Sequence, residues 1–212
     1  MTCGQRKKLE RQALEVTARS RNLAKYTHPN TVYQWLNRQF RQALLALLGG
    51  CGARTMLEVG CGEGFLLAFL AQHLPQASLA GLDLAPDATR YARAQCPAAV
   101  RLLVADGNRL PFKSSAFDVV LCSEVLEHLT DVEPALAELK RISRRYVVVS
   151  VPREPYFSFL TRLAIWLRQA EDPEHVQFWT RQDFARLVQE HFAKAKIGTC
   201  GIYRLALCEV LG

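Results

Sequence analysis

The sequence predicts an α/β protein, a three-layer α/β/α sandwich around a mostly parallel sheet. Three observations predict it. Five apolar, strand-like runs occur at 55–59, 78–82, 100–104, 117–122 and 146–151, and helical patterns at 64–74, 86–95 and 132–143 separate most of them. Runs such as Tyr146-Val147-Val148-Val149 are apolar at every position, as expected of strands covered on both faces. Two last runs, 195–200 and 202–210, flank Gly201 and read as a hairpin, which makes the final strand antiparallel.

The elements follow in order. Residues 5–24 read as a polar helix. Residues 31–48 read as an amphipathic helix with Val32, Trp35, Leu36, Phe40, Ala43, Leu44 and Leu47 on one side, ended by Gly49-Gly50. These segments set residues 1–48 apart as a helical arm or cap, with the main domain at 49–212. Pro86 and Pro134 stand near helix starts, where a missing N–H costs little. The pattern changes after Pro152. An aromatic-rich amphipathic segment covers 155–169, a polar loop 170–179, and a helix 180–191 with Thr180 as its cap. Residues 152–180 read as an insertion that covers the substrate.

Charge is uneven. Residues 1–25 carry seven Lys or Arg and two acids, and so supply +5 of the net +7. Such an arm suits nucleic acid, an anionic membrane or an acidic partner, or is a solvated helix face. The seven cysteines form no C-x-x-C pair and several lie in apolar runs, which predicts reduced thiols and a cytoplasmic protein. The basic N-terminus has no apolar core of a secretory signal, and no run reaches the length of a membrane span. No metal site is expected.

The chemistry centres on Met56-Leu57-Glu58-Val59-Gly60-Cys61-Gly62-Glu63-Gly64-Phe65. This reads as strand, glycine turn and helix, a turn that lets a ligand approach bare backbone. Asp83 lies 19 residues past Gly64, where the second strand ends. A carboxylate there suits ribose hydroxyls, so an adenosine-type ligand is expected. The spacing is G-x-G-x-G, which departs from the dinucleotide fingerprint. Ala105-Asp106-Gly107 with Leu110-Pro111-Phe112 follows the third strand. Phe117-Asp118-Val119-Val120-Leu121-Cys122-Ser123-Glu124-Val125-Leu126-Glu127-His128-Leu129 reads as a fourth strand running into a helix.

Over residues 54–152 these motifs jointly resemble the class I S-adenosylmethionine-dependent methyltransferases, and among them the type-11 methyltransferase-domain group. The resemblance implies a Rossmann-like, seven-stranded sheet of order 3-2-1-4-5-7-6. It implies S-adenosylmethionine as methyl donor and S-adenosylhomocysteine as product. Gly60, Cys61, Gly62 and Gly64 would approach the methionine part and the sugar, with Glu58 fixing the loop through bonds to its backbone. Asp83 would take the ribose hydroxyls, Leu84 would pack on adenine, and Asp106 with Gly107 would receive its amine and ring edge. Ser123 and Glu124 would line the methyl-transfer zone.

The acceptor is less legible. A general base is needed for some nucleophiles, and His128 and His175 are the candidates, each with a plain structural alternative. Tyr26 and His28 are weaker pocket candidates. Cys122-Ser123-Glu124-Val125 lacks the proline-bounded element of amino-directed nucleic-acid methyltransferases, and no Pro-Cys nucleophile is present. The apolar stripe Tyr156, Phe159, Leu160, Leu163, Trp166 and Leu167, with Arg153, Arg162 and Arg168 around it, suits a small or lipid-like acceptor and peripheral membrane contact. The alternatives are an RNA or protein methyltransferase that uses the basic arm, and a non-catalytic cofactor-binding subunit. A homodimer would help to complete a pocket that the short chain leaves open.

Overall fold

The structure, a computed structural model, describes residues 31–154 and 176–210. Tyr26, His28, His175, the apolar stripe of the insertion and the basic arm lie outside the described residues. Helix α1 spans Thr31–Gly49. Then follow β1 (Thr55–Val59), α2 (Phe65–His73), β2 (Ser78–Asp83), α3 (Pro86–Gln95), β3 (Arg101–Val104), β4 (Phe117–Ser123), α4 (Glu133–Ile142), β5 (Ser143–Pro152), α5 (Arg181–His191), β6 (Lys194–Cys200) and β7 (Tyr203–Glu209).

The sheet order is β3-β2-β1-β4-β5-β7-β6. The first five strands pair in parallel, and β7 runs antiparallel to both β5 and β6. The strand order therefore reverses between β1 and β4, and the carboxyl ends of the parallel strands open into a crevice at that point.

Strict alternation builds the two outer layers. Leu57, Val59, Val120, Cys122, Val147, Val149, Val151, Ala206 and Cys208 face one core, which Leu136, Leu139 and Ile142 of α4 and Phe184 and Val188 of α5 complete. Met56, Val119, Leu121, Val148, Tyr203 and Leu205 face the other, with Phe40, Leu44 and Leu48 of α1 and Leu66, Leu67 and Leu70 of α2. The sheet interior is buried on both faces, as the apolar runs require, whereas β3 and β6 are exposed edges.

Three expectations change. The buried stripe of α1 is Asn37, Phe40, Leu44 and Leu48, while Trp35 is exposed. Two residues on a helix turn by about 200°, so Trp35 cannot share a face with Asn37. Strand β5 begins at Ser143, three residues before its apolar run, because Ser143 pairs with Phe117 ahead of a register shift. The fourth strand does not run into a helix. Glu124 has φ 55°, a left-handed conformation, and a single 3-10 turn at Leu126–His128 follows. No helix among the described residues is long and apolar enough to cross a membrane.

Asp118 locks the amino end of the sheet. Its Oδ2 accepts hydrogen bonds from the N–H groups of Arg54 and Thr55, and its Oδ1 accepts one from Arg144. Burial alone would raise its pKa, but these bonds outweigh burial and hold the carboxyl below its ordinary value. Stability supplied by such a group is present above the unfolded-state pKa, near 4, and is lost as pH falls through the lower folded value. Asp118→Ala is expected to cost about 2 kcal/mol in urea unfolding at pH 7, with a smaller difference from wild type at pH 3. Equal differences at both pH values would contradict the charge assignment.

Candidate cofactor and active site

Between Val59 and Phe65 the chain must turn from a buried strand into a helix within five residues. Gly60, Gly62 and Gly64 all take positive φ, at 75°, 51° and 77°. Space tightens the requirement at two of them. A Cβ on Gly60 would lie 2.3 Å from Cγ2 of Val125, and one on Gly64 would lie 2.8 Å from both Ala92 Cβ and Cys96 Sγ. The outer glycines therefore answer to the protein's own packing.

The loop amides are spoken for. The N–H groups of Gly60 and Cys61 both donate to the Leu82 carbonyl, at 2.8 and 2.9 Å, and that of Gly64 donates to the Cys61 carbonyl at 2.9 Å. The Gly62 N–H donates to Asp83 Oδ2 at 2.8 Å. A phosphate cradle needs such amides pointed at the ligand. These four are turned inward and do not point at a ligand in the crevice.

Asp83 ends β2 and holds the site together. Its Oδ1 accepts from the Ala85 N–H at 2.9 Å while Oδ2 holds the loop. Each oxygen keeps a further lone pair for hydroxyl donors. Leu84, next in sequence, is 70 % exposed and forms an apolar shelf beside that carboxylate. The Ala105 N–H donates to the Asp83 carbonyl, which draws the end of β3 alongside. There Asp106 Oδ1 accepts from both the N–H and the Nδ2 of Asn108 and closes a tight turn, leaving Oδ2 with no partner among the described residues. A Cβ on Gly107 would lie 3.3 Å from Val59 Cγ1, so the third strand's loop meets the end of the first.

Glu58 and Cys61 lie beneath. Glu58 is 4 % exposed. It makes no hydrogen bond to the loop backbone, and its buried Oε2 has no partner. The expectation that it braces the loop is therefore corrected. Glu58 projects into the same layer as Met56, while the loop is stitched instead by Leu82 and Asp83. Burial first, and the Asp83 charge second, push its pKa well above the ordinary carboxylate value and so favour the neutral form. Burial likewise raises the Cys61 thiol far above its ordinary value, so Cys61 is a packing residue and no nucleophile.

The other wall comes from β4 and β5. Ser123 Oγ and Ser150 Oγ share a hydrogen bond of 3.0 Å, and the Glu124 N–H donates to the Ser150 carbonyl at 3.1 Å. The left-handed backbone at Glu124 turns the chain so that Val125 covers Gly60. His128 is exposed in the 3-10 turn that follows. The Glu127 carbonyl accepts from the N–H groups of Val176 and Gln177 at 2.9 and 3.1 Å, and Gln177 Nε2 donates to the Thr130 carbonyl. The chain thus re-enters the described fold beside His128, directly after His175.

Sequence reasoning missed Val125, the steric partner of Gly60, and Ser150, the partner of Ser123. Val125 carries no signal of its own. Ser150 does, since it interrupts Val147-Val148-Val149 and Val151 inside a buried strand.

These features define a Rossmann-like sandwich with a crevice at the ends of β1, β2 and β3. Residues 57–149 match the family model described as methyltransferase domain. The chain is 35 % identical to demethylmenaquinone methyltransferase of Thermus thermophilus over 112 residues, which is 50 % of this chain and 51 % of that protein. It is 38 % identical to malonyl-[acyl-carrier protein] O-methyltransferase of Herminiimonas arsenicoxydans over 107 residues, 50 % of this chain and 39 % of that protein. It thus spans about half or less of the length of these curated relatives. Its fold is similar to magnesium protoporphyrin IX methyltransferase of Synechocystis PCC 6803, solved with bound S-adenosylhomocysteine, at a TM-score of 0.69 and 18 % identity over 97 % of this chain and 100 % of that one. Residues 57–149 are thus similar to the methyltransferase-domain family, and the fold is similar to that of a methyltransferase solved with bound S-adenosylhomocysteine.

The raised pKa of Glu58 has a measurable consequence. An acid with a raised folded-state pKa contributes stability that is full below its unfolded pKa and is lost as pH rises toward the folded value. Glu58→Gln mimics the neutral form and has no proton to lose. The variant is expected to gain stability relative to wild type between pH 5 and pH 8, measured by urea unfolding. A difference independent of pH would mean that Glu58 is not buried as a neutral acid.

Proposed function

We propose that this chain binds S-adenosylmethionine across the ends of β1, β2 and β3 and transfers its methyl group to a small-molecule or lipid-like acceptor. The observation that carries this reading is Asp83. One carboxylate locks the glycine loop and still presents lone pairs beside the exposed Leu84. That combination fits a ribose diol with an adjoining purine face. The unpartnered Oδ2 of Asp106 fits an exocyclic amine. The inward-turned loop amides fit a nucleoside without phosphate. The buried, unpartnered Oε2 of Glu58 fits a polar ligand group under the loop.

When bound, the cofactor supplies a methyl group on a positively charged sulfur. The residues of this chain would do the rest. Gly60 and Gly62 keep the loop thin enough for close approach. Ser123 and Glu124, fixed through Ser150, form a rigid wall at the transfer zone, so that alignment supplies much of the rate. His128 and His175 remain the candidates for a base. Residues 1–48 and 152–180 would form the cover that selects the acceptor.

The relatives named above support an organic acceptor. Their names give demethylmenaquinone and malonyl-[acyl-carrier protein] as what they methylate. Incubation with isotopically labelled S-adenosylmethionine and a fractionated extract would locate the acceptor. Label in the small-molecule or lipid fraction, or on an acyl group released from a carrier protein by thioester cleavage, is expected, and label confined to RNA or to protein side chains would overturn the acceptor class.

Asp83 supplies the sharper test. Calorimetric titration with S-adenosylhomocysteine should show binding by wild type and at least about tenfold weaker binding by Asp83→Ala, since each factor of ten is roughly 1.4 kcal/mol. Unchanged affinity in the variant would remove the ribose assignment.

A further inference from the structure

The far end of the crevice carries a different chemistry. Arg204 opens β7 opposite Val151, near the carboxyl end of β5. It stands between Tyr203 and Leu205 in a strand whose other charged residue is the terminal Glu209, and it is only 5 % exposed. Its Nη2 donates to the Glu154 carbonyl at 2.9 Å, and its buried Nε has no partner. A guanidinium presents five donors in a fixed fork, and an unmade bond in a buried site is costly.

Two more arginines gather around it. Arg153 follows Pro152 at the end of β5. Its N–H donates to the Ile202 carbonyl, and its Nη1 lies 3.5 Å from the Gly201 carbonyl. Arg181 is the first residue of α5, next to the Thr180 cap and two residues after the buried Trp179. Burial, and then the charges of Arg153 and Arg181, lower the Arg204 pKa, and Glu154 only partly offsets them. Arg204 has a buried donor with no partner, and the charges of Arg153 and Arg181 add to its own.

We propose that Arg204, with Arg153 and Arg181, is an oxyanion site that holds a carboxylate or phosphate group of the acceptor at the β5–β7 end of the crevice. This inference rests on the methyltransferase reading above and extends it to the acceptor's charge. The buried Nε and a free edge of the Arg204 fork would take the oxyanion, a planar match in the carboxylate case. The two outer arginines would neutralise its second charge and draw it in. The acceptor would be anchored at one end by charge, with its nucleophile directed toward Ser123 and Glu124.

The test uses the full chain with two probes, succinate and inorganic phosphate, each titrated against sodium chloride of equal ionic strength. Wild type is expected to bind at least one of them saturably. Whether succinate or phosphate binds tighter assigns the group as carboxylate or phosphate. Arg204→Met and the exposed Arg181→Gln should each weaken that binding at least tenfold and leave the affinity for S-adenosylhomocysteine unchanged. Absence of saturable binding in wild type, or equal binding in the variants, would overturn the site. Should Arg204→Met fail to fold, Arg181→Gln decides the matter. Loss of S-adenosylhomocysteine binding by wild type would instead sink the underlying methyltransferase reading, so the two failures are distinct.

Discussion

The hydrogen bond from the Gly62 N–H to Asp83 Oδ2 is the constraint on which the rest of the site depends. It joins the turn after β1 to the end of β2, and the neighbouring amides of Gly60 and Cys61 reinforce it at Leu82. Because those amides face the second strand, the loop presents its other side to the crevice. The same carboxylate holds the Ala85 turn, so Leu84 is displayed where it is because Asp83 is anchored on both oxygens. The carbonyl of Asp83 then receives Ala105 and draws in the Asp106 turn. One residue thus sets the positions of three strand ends.

Charge is divided along the crevice. Acidic side chains cluster at one end, where Glu58, Asp83 and Asp106 occupy the ends of β1, β2 and the loop after β3. Burial and the nearby Asp83 charge both raise the Glu58 pKa, which disfavours a second negative charge beneath the loop. Basic side chains gather at the other end, where Arg153, Arg181 and Arg204 meet around β5 and β7. The Ser123–Ser150 pair stands between them on the two central strands. A cationic methyl donor and an anionic acceptor would each find the complementary end, with the transfer zone in the middle.

Much of this was legible in the sequence, for identifiable reasons. Strand runs such as Val119 to Cys122 and the three alternate glycines carry strong local signals, because burial on two faces and positive φ each restrict the residue types allowed. Asp83 was legible from its spacing, and its double anchoring was not, since a hydrogen bond to a backbone amide leaves no mark on the donor's side chain. Trp35 looked like a core residue because it is large and apolar, but helix geometry places it opposite the stripe that Phe40 and Leu44 define. The helix expected after β4 failed because the left-handed Glu124 has no propensity signature of its own. Glu58 was assigned bonds from its position under the loop, and only side-chain direction shows that it makes none. Arg204 was not singled out from the sequence, because the charges of Arg153 and Arg181 that act on it come from distant parts of the chain.

A crystal structure of the full chain with S-adenosylhomocysteine tests the central claim most directly. The ribose hydroxyls should lie within hydrogen-bond distance of the Asp83 carboxylate, with adenine against Leu84 and the Gly62 N–H bond to Oδ2 retained. A ligand seated away from Asp83, or a loop that breaks its bond to Oδ2 to admit the ligand, would contradict the account.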